Sequence, residues 1–151
     1  MLTLATQLAG EGREGRPVGA LFVLGDSERV LRQSRGLVLN PFQGHPESGR
    51  NVLDPALEET LKEFAAIDGA FIVRGDGVVL TAGSHLLPSS AASPRLASGL
   101  GTRHAAAAGI SATTDAVAVC VSQSTGTVSV YRSGRLVTDV QRPTPGGQLP
   151  L

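Results

Sequence analysis

The chain predicts an α/β domain: a central mixed β-sheet of about six or seven strands flanked by helices. Three observations predict it. Short apolar or alternating runs of strand length recur along the 151 residues, bounded by glycine and polar turn residues. The segment Leu57–Ala65 carries an apolar stripe of helical spacing. A second helical segment, alanine-rich, opens at Gly101-Thr102 with two basic residues in its first turn.

Composition sets the outer limits. One domain of this length buries a real core. Hydrophobic content of 41% and charged content of 17% are those of a soluble globular chain. A formal net charge of zero leaves no electrostatic footprint for duplex nucleic acid or an acidic membrane. No apolar run spans a bilayer, and Met1-Leu2-Thr3-Leu4 lacks the basic region of a signal peptide. A cytoplasmic protein with neither nucleic-acid nor membrane partner is expected. The single cysteine, Cys120, rules out an internal disulfide. Inside the apolar run 117–121 it reads as a small buried hydrophobe rather than a nucleophile. With four Phe, one Tyr and no Trp there is no stacking platform for single strands.

Taken in order, residues 2–9 predict a short helix, and 10–17 a glycine-punctuated connector. Val18–Leu24 is a continuous apolar run, a buried strand ended by Gly25-Asp26. Ser27–Gln33 predicts a short helix and Gly36–Leu39 a short strand. Residues 40–53 form a long loop of the kind that is functional or mobile; His45 in it reads as solvated. Asp54-Pro55 opens a helix, with Asp as N-cap, Pro at the first position and Glu58 and Glu59 in the early turns. Its stripe is Leu57, Leu61, Phe64 and Ala65. Residues 70–83 make a hairpin turning at Gly75-Asp76-Gly77, and 84–98 a linker. Thr102, read as the cap, starts a helix to about Ala108, ended by Gly109 and the serine and threonines after it. Strands follow at 116–122, 127–132 and 135–138. Residues 1–140 are read as one domain, with 1–17 its N-terminal helix and connector, and 141–151 as a disordered tail.

The chemistry gathers at Gly99-Leu100-Gly101-Thr102-Arg103-His104. Free N–H groups and the macrodipole make a helix N-terminus positive, so Arg103 and His104 cost stability there unless an anion meets them. A glycine approach with added positive charge is a phosphate site. Asp68 precedes a buried strand and Gly69. It admits two readings, a turn aspartate bonding its own backbone or a catalytic carboxylate. Ser122 ends a strand. Zinc fails for want of a ligand set, and Gly99-Leu100-Gly101 is neither a Walker loop nor a dinucleotide fingerprint. A hydrolase triad of Ser122, His104 and Asp68 lacks the Gly-x-Ser-x-Gly elbow. Together these residues suggest phosphoryl or nucleotidyl chemistry, but on their own they stop at a phosphate-binding α/β domain, enzyme or not.

Asp68-Gly69-Ala70, Leu86-Leu87-Pro88, Gly101-Thr102-Arg103-His104 and Val121-Ser122 with Gly126-Thr127 follow in that order. This arrangement resembles the diadenylate cyclase domain, whose hallmarks are an Asp-Gly-Ala motif and an Arg-His-Arg motif; here Asp68 and Arg103 stand 35 positions apart. The 18–23 run resembles the family's first strand, so the similarity covers 18–138 and is greatest with the archaeal-type branch. The resemblance implies condensation of two ATP molecules into cyclic di-AMP, with Mg²⁺ or Mn²⁺, between two facing protomers of a homo-oligomer. It implies that Asp68 takes the 3′-hydroxyl proton or holds the metal. Gly69 would lie by the ribose, and Leu87 would read adenine through its backbone. Thr102, Arg103, His104 and Ser122 would hold the phosphates, with Ala70 and Gly101 also among the ATP-binding residues.

Two positions depart from the pattern. Ala105 stands where the second motif ends in arginine, and Gln123 where many members carry glutamate. A charged hydrogen bond is worth about 1.5–3 kcal/mol, which Arg95 is a candidate to restore. The departures leave open a module that binds ATP or cyclic di-AMP with weak or no turnover. A purely structural module would bind no nucleotide.

Overall fold

The computed structural model describes residues 1–89 and 99–141. Arg95, most of the 84–98 linker and all but the first residue of the 141–151 tail lie outside the described residues.

Among the described residues four α-helices, α1 (Leu2–Glu11), α2 (Ser27–Arg32), α3 (Glu58–Phe64) and α4 (Thr102–Thr113), enclose one mixed sheet. Its strands are β1 (Ala20–Leu24), β2 (Ser34–Gly36), β3 (Ala70–Val73), β4 (Val79–Leu86), β5 (Val117–Val121), β6 (Val128–Arg132) and β7 (Arg135–Val140). They lie in the order β2-β4-β3-β1-β5-β6-β7, with β1 and β3 parallel and every other pair antiparallel. The predicted α/β class and strand number stand.

Both faces of the sheet are covered, which is why its central strands read as unbroken apolar runs. Successive side chains still alternate. Ala20 and Phe22 join the layer under α1 and α3, with Leu8, Leu61 and Phe71. Leu21 and Val23 join the layer under α2 and α4, with Val30, Ile72 and Ile110. Phe22 stacks on Phe71 across the parallel pair, ring centres 4.8 Å apart. Fully burying one such side chain stabilises the fold by about 1.5–3 kcal/mol.

Several predicted boundaries move. The hairpin's second strand does not stop at Gly83. It continues through Ser84 and His85 to Leu86, because Ser34, Arg35 and Gly36 pair with Leu86, His85 and Ser84. β2 accordingly sits at 34–36 rather than 36–39. Helix α4 runs past Gly109 to Thr113. A Cβ on Gly109 would stand 2.8 Å from Pro88 Cγ, so this glycine admits Pro88 against the helix instead of ending it. The residue capping α4 is Gly101, not Thr102: the Gly101 carbonyl already accepts the Ala105 N–H at 3.2 Å. Asp54 does cap its helix, accepting the Ala56 N–H at 2.9 Å, although the first turn, Pro55–Leu57, is 3₁₀. The 40–53 loop is tied down rather than loose. Phe42 is buried against Phe64, and Asn40 and Arg50 donate to the Leu80 and Val79 carbonyls. His45 is exposed, as read. Among the described residues no helix is long and apolar enough to cross a membrane.

Candidate functional site

Helix α4 starts with three things that invite an anion. Its cap, Gly101, has no side chain with which to satisfy the first N–H groups. Its first turn holds no acidic residue, and Arg103 and His104 add positive charge. Beside it opens a cavity of about 490 Å³ lined by Gly101, Thr102, Arg103, His104 and Ser122. The turn after β5 shapes the opposite wall. There the Ser122 carbonyl accepts the Gly126 N–H at 2.9 Å, and Ser122 Oγ contacts Ser124 Oγ at 3.2 Å and accepts the Thr125 N–H at 3.3 Å.

A second cavity, about 250 Å³, lies on the other side of Arg103 and is lined by Asp68, Gly69, Ala70, Thr102 and Arg103 among others. Asp68 sits in the loop entering β3, its side chain 90% exposed, with Oδ1 4.0 Å from Arg103 Nη2. Oδ1 also accepts the Gly69 N–H at 2.9 Å, so the turn reading of this aspartate is realised in the fold. Gly69, at φ 99°, is needed for a closer reason than ligand access: β4 backbone lies against it.

The predicted residues thus fall into two adjoining groups that share Thr102 and Arg103. Leu87 lines neither cavity. It follows Leu86 just outside the smaller one, half exposed, with its N–H donated to the Gln33 carbonyl at 2.6 Å. No hydrogen bond among the described residues joins Ser122 to His104, and Asp68 belongs to the other cavity, so the triad is not assembled. Cys120 is buried and its thiol is pushed up to about 12 by burial, which makes it the inert hydrophobe expected.

Sequence reading missed Asp139 and Ser129, which also line the larger cavity, Ser129 Oγ donating to Asp139 Oδ1 at 2.5 Å. Asp139 lies on a strand read as ending at 138, so no local signal placed it there. Among the described residues no three His, Cys, Asp or Glu side chains cluster to hold a metal. A Mg²⁺ ion typically takes one or two carboxylates and completes its shell with substrate phosphates and water, and Asp68 fits that pattern.

His104 is 6% exposed and packs edge-on against Tyr131, ring centres 6.3 Å apart. Burial lowers its pKa below the ordinary value, while the charge of Asp139 pulls the other way. The unfolded chain therefore binds the proton more readily than the fold. Stability from this group is fully present above the unfolded value of about 6.5 and is lost as pH falls through the folded one. Thermal melts should show the wild type losing more stability than His104→Gln between about pH 7.5 and 5.5. Parallel curves would remove His104 as the source.

The chain as a whole is similar to known proteins. The family model described as DAC, DisA bacterial checkpoint controller nucleotide-binding, matches residues 7–136. A Methanocaldococcus jannaschii protein named diadenylate cyclase is 44% identical over 137 residues, covering 91% of this chain and 43% of that protein. Its namesake in Haloferax volcanii is 38% identical over 137 residues, covering 91% and 49%. The chain thus spans about half the length of these curated relatives or less. A crystal structure of DacA from Staphylococcus aureus matches with a TM-score of 0.61 at 27% identity, over 94% of this chain and 83% of that one.

Proposed function

The chain belongs to the diadenylate cyclase domain family, and from that premise we propose that it condenses two ATP molecules into cyclic di-AMP. In each half-reaction the 3′-hydroxyl oxygen of one nucleotide bonds to the α-phosphorus of the other. The α–β phosphoanhydride breaks, pyrophosphate leaves, and the hydroxyl proton passes to a base. Catalysis of this kind rests on positioning and on stabilising phosphate charge. The observation that carries the reading is Arg103, one guanidinium shared by the Asp68 cavity and the cavity at the glycine-capped start of α4.

Each residue then has a physical task. The α4 N–H groups, Thr102, Arg103 and Ser122 take phosphate oxygens. His104, with its lowered pKa, supplies one N–H and gains a proton more readily once a phosphate faces it. Asp68 accepts the 3′-hydroxyl proton or binds a Mg²⁺ or Mn²⁺ ion otherwise held by the phosphates. When bound, such an ion neutralises phosphate charge. With the Leu87 N–H occupied by Gln33, its carbonyl is the group that faces adenine. Gly69 and Ala70 border the ribose.

A carboxylate 90% exposed is poorly suited to act alone, since water screens it and competes for its proton. A second protomer facing the first, each presenting one ATP, covers it and makes the site whole. Ala105, exposed in the first turn of α4, supports a second reading: a module that binds ATP or cyclic di-AMP with little turnover. Incubating the protein with ATP and a metal series, then separating the products, decides between them. Cyclic di-AMP is the expected product. Binding without product across all metals supports the second reading, and no nucleotide binding overturns both. A catalytically competent monomer by light scattering would overturn the facing arrangement.

A further inference from the structure

We propose that Gly19 is a positioning residue for Arg103. Its lack of a side chain leaves the guanidinium the place from which it serves both cavities. The inference rests on the reading above, in which Arg103 meets the nucleotide's phosphates.

Gly19 lies one residue before β1, in the central part of the sheet. A Cβ built there would stand 2.8 Å from Arg103 Nη1, 3.1 Å from Arg103 Cζ and 3.2 Å from Gln123 Cβ. Gly19 is absent from the positive-φ positions, so no left-handed backbone calls for glycine here. Space does. The guanidinium lies against the Gly19 backbone where any other residue would put a methyl or more.

The polar contacts of Arg103 do not hold it there. Its ion pair with Asp68 is at 4.0 Å, the outer limit of such contacts, and joins it to a 90% exposed carboxylate. Its Nε is buried with no hydrogen-bond partner among the described residues. A side chain with four rotatable bonds and so few polar restraints is placed by what it packs on. Arg103 lines the 490 Å³ and 250 Å³ cavities and also a third of about 260 Å³ on the Gly19 side, which Gln123 shares. A group at the junction of three open spaces has room to move. Gly19 and Gln123 form the wall that decides where it rests.

The severest clash from a methyl at Gly19 falls on the far end of a flexible side chain, which yields more readily than β1, and the Gln123 Cβ at 3.2 Å has to give by only a few tenths of an ångström. Gly19→Ala should therefore keep the fold and move the guanidinium. A residue that only filled space would behave differently in a double-mutant cycle.

The test measures ATP affinity by calorimetry, with Mg²⁺ present, and thermal midpoints for wild type, Gly19→Ala, Arg103→Ala and the double variant. Gly19→Ala is expected to weaken ATP binding about tenfold, the scale of one charge-assisted hydrogen bond, with its midpoint within about 2 °C of wild type. In the Arg103→Ala background the same substitution should change affinity by less than about twofold. Wild-type affinity in Gly19→Ala, or a loss that persists in full without Arg103, overturns the proposal. So does a large fall in midpoint, which would assign Gly19 to the fold alone. If Arg103→Ala itself binds ATP as wild type does, the phosphate role of Arg103 is what fails.

Discussion

Asp68→Asn is expected to reduce cyclic di-AMP formation by about 10²-fold or more while leaving the thermal midpoint within about 2 °C of wild type. The two halves of this expectation come from different atoms. The fold uses Asp68 through Oδ1, which accepts the Gly69 N–H at 2.9 Å. An asparagine side-chain oxygen accepts the same bond, so the entry into β3 is preserved. Among the described residues the only charged partner of Asp68 is Arg103 at 4.0 Å, and a pair this long and this exposed adds little to stability. What asparagine cannot do is take a proton or offer a full negative charge to a cation. Product chromatography after incubation with ATP and Mn²⁺ or Mg²⁺, paired with thermal melts, reads both halves. Undiminished product would return Asp68 to the role of a turn residue. A folded, inactive variant would separate the chemistry from the turn that both readings share.

The parts of the fold legible in the sequence are those where a local signal and the tertiary outcome agree. The apolar runs at 18–24 and 117–121 supply the central strands β1 (from Ala20) and β5, covered on both faces. Asp54-Pro55 caps a helix as its residue types require. The errors lie where a partner distant in the chain decides. Ser84 and His85 look like linker, yet backbone pairing with 34–36 makes them strand regardless of polarity. Gly109 looks like a helix stop, yet it exists to receive Pro88. The site divides in the same way. The order of Asp68-Gly69-Ala70 and Gly101-Thr102-Arg103-His104 is written in the chain, and the sheet brings the two within one side chain's reach. The contributions of Gly19 and Asp139 are invisible in one dimension. Nothing local distinguishes Gly19 from the other glycines, or marks Asp139 as facing a cavity.

Gly69→Ala should be the more damaging change at the same loop, through the fold and not the chemistry. Gly69 stands at φ 99°, a conformation that side chains rarely adopt. A methyl there would also meet Gly83 C at 2.7 Å, Ser84 N at 2.8 Å and Ser84 O at 3.0 Å. These are backbone atoms of β4, held on one side by β3 and on the other by β2, so no rotamer change relieves the contact. The register between β3 and β4 already shifts just beyond Ala70, which leaves the irregular ladder little slack. Backbone strain and overpacking each cost about 1–3 kcal/mol, so together they predict a loss of about 2–6 kcal/mol. For a domain of this size, at about 2–4 °C per kcal/mol, that is a fall in midpoint of about 4–24 °C. Gly75→Ala is the matched control. Gly75 is not among the positive-φ positions, nothing lies within 4 Å of its Cβ site, and its midpoint should stay within about 3 °C. ATP should rescue Gly69→Ala poorly, because pushing β4 away moves the Asp68 loop along with it. A Gly69→Ala midpoint equal to that of Gly75→Ala would mean that the β3–β4 irregularity absorbs a methyl, and that Asp68 is not held where it is by this close approach.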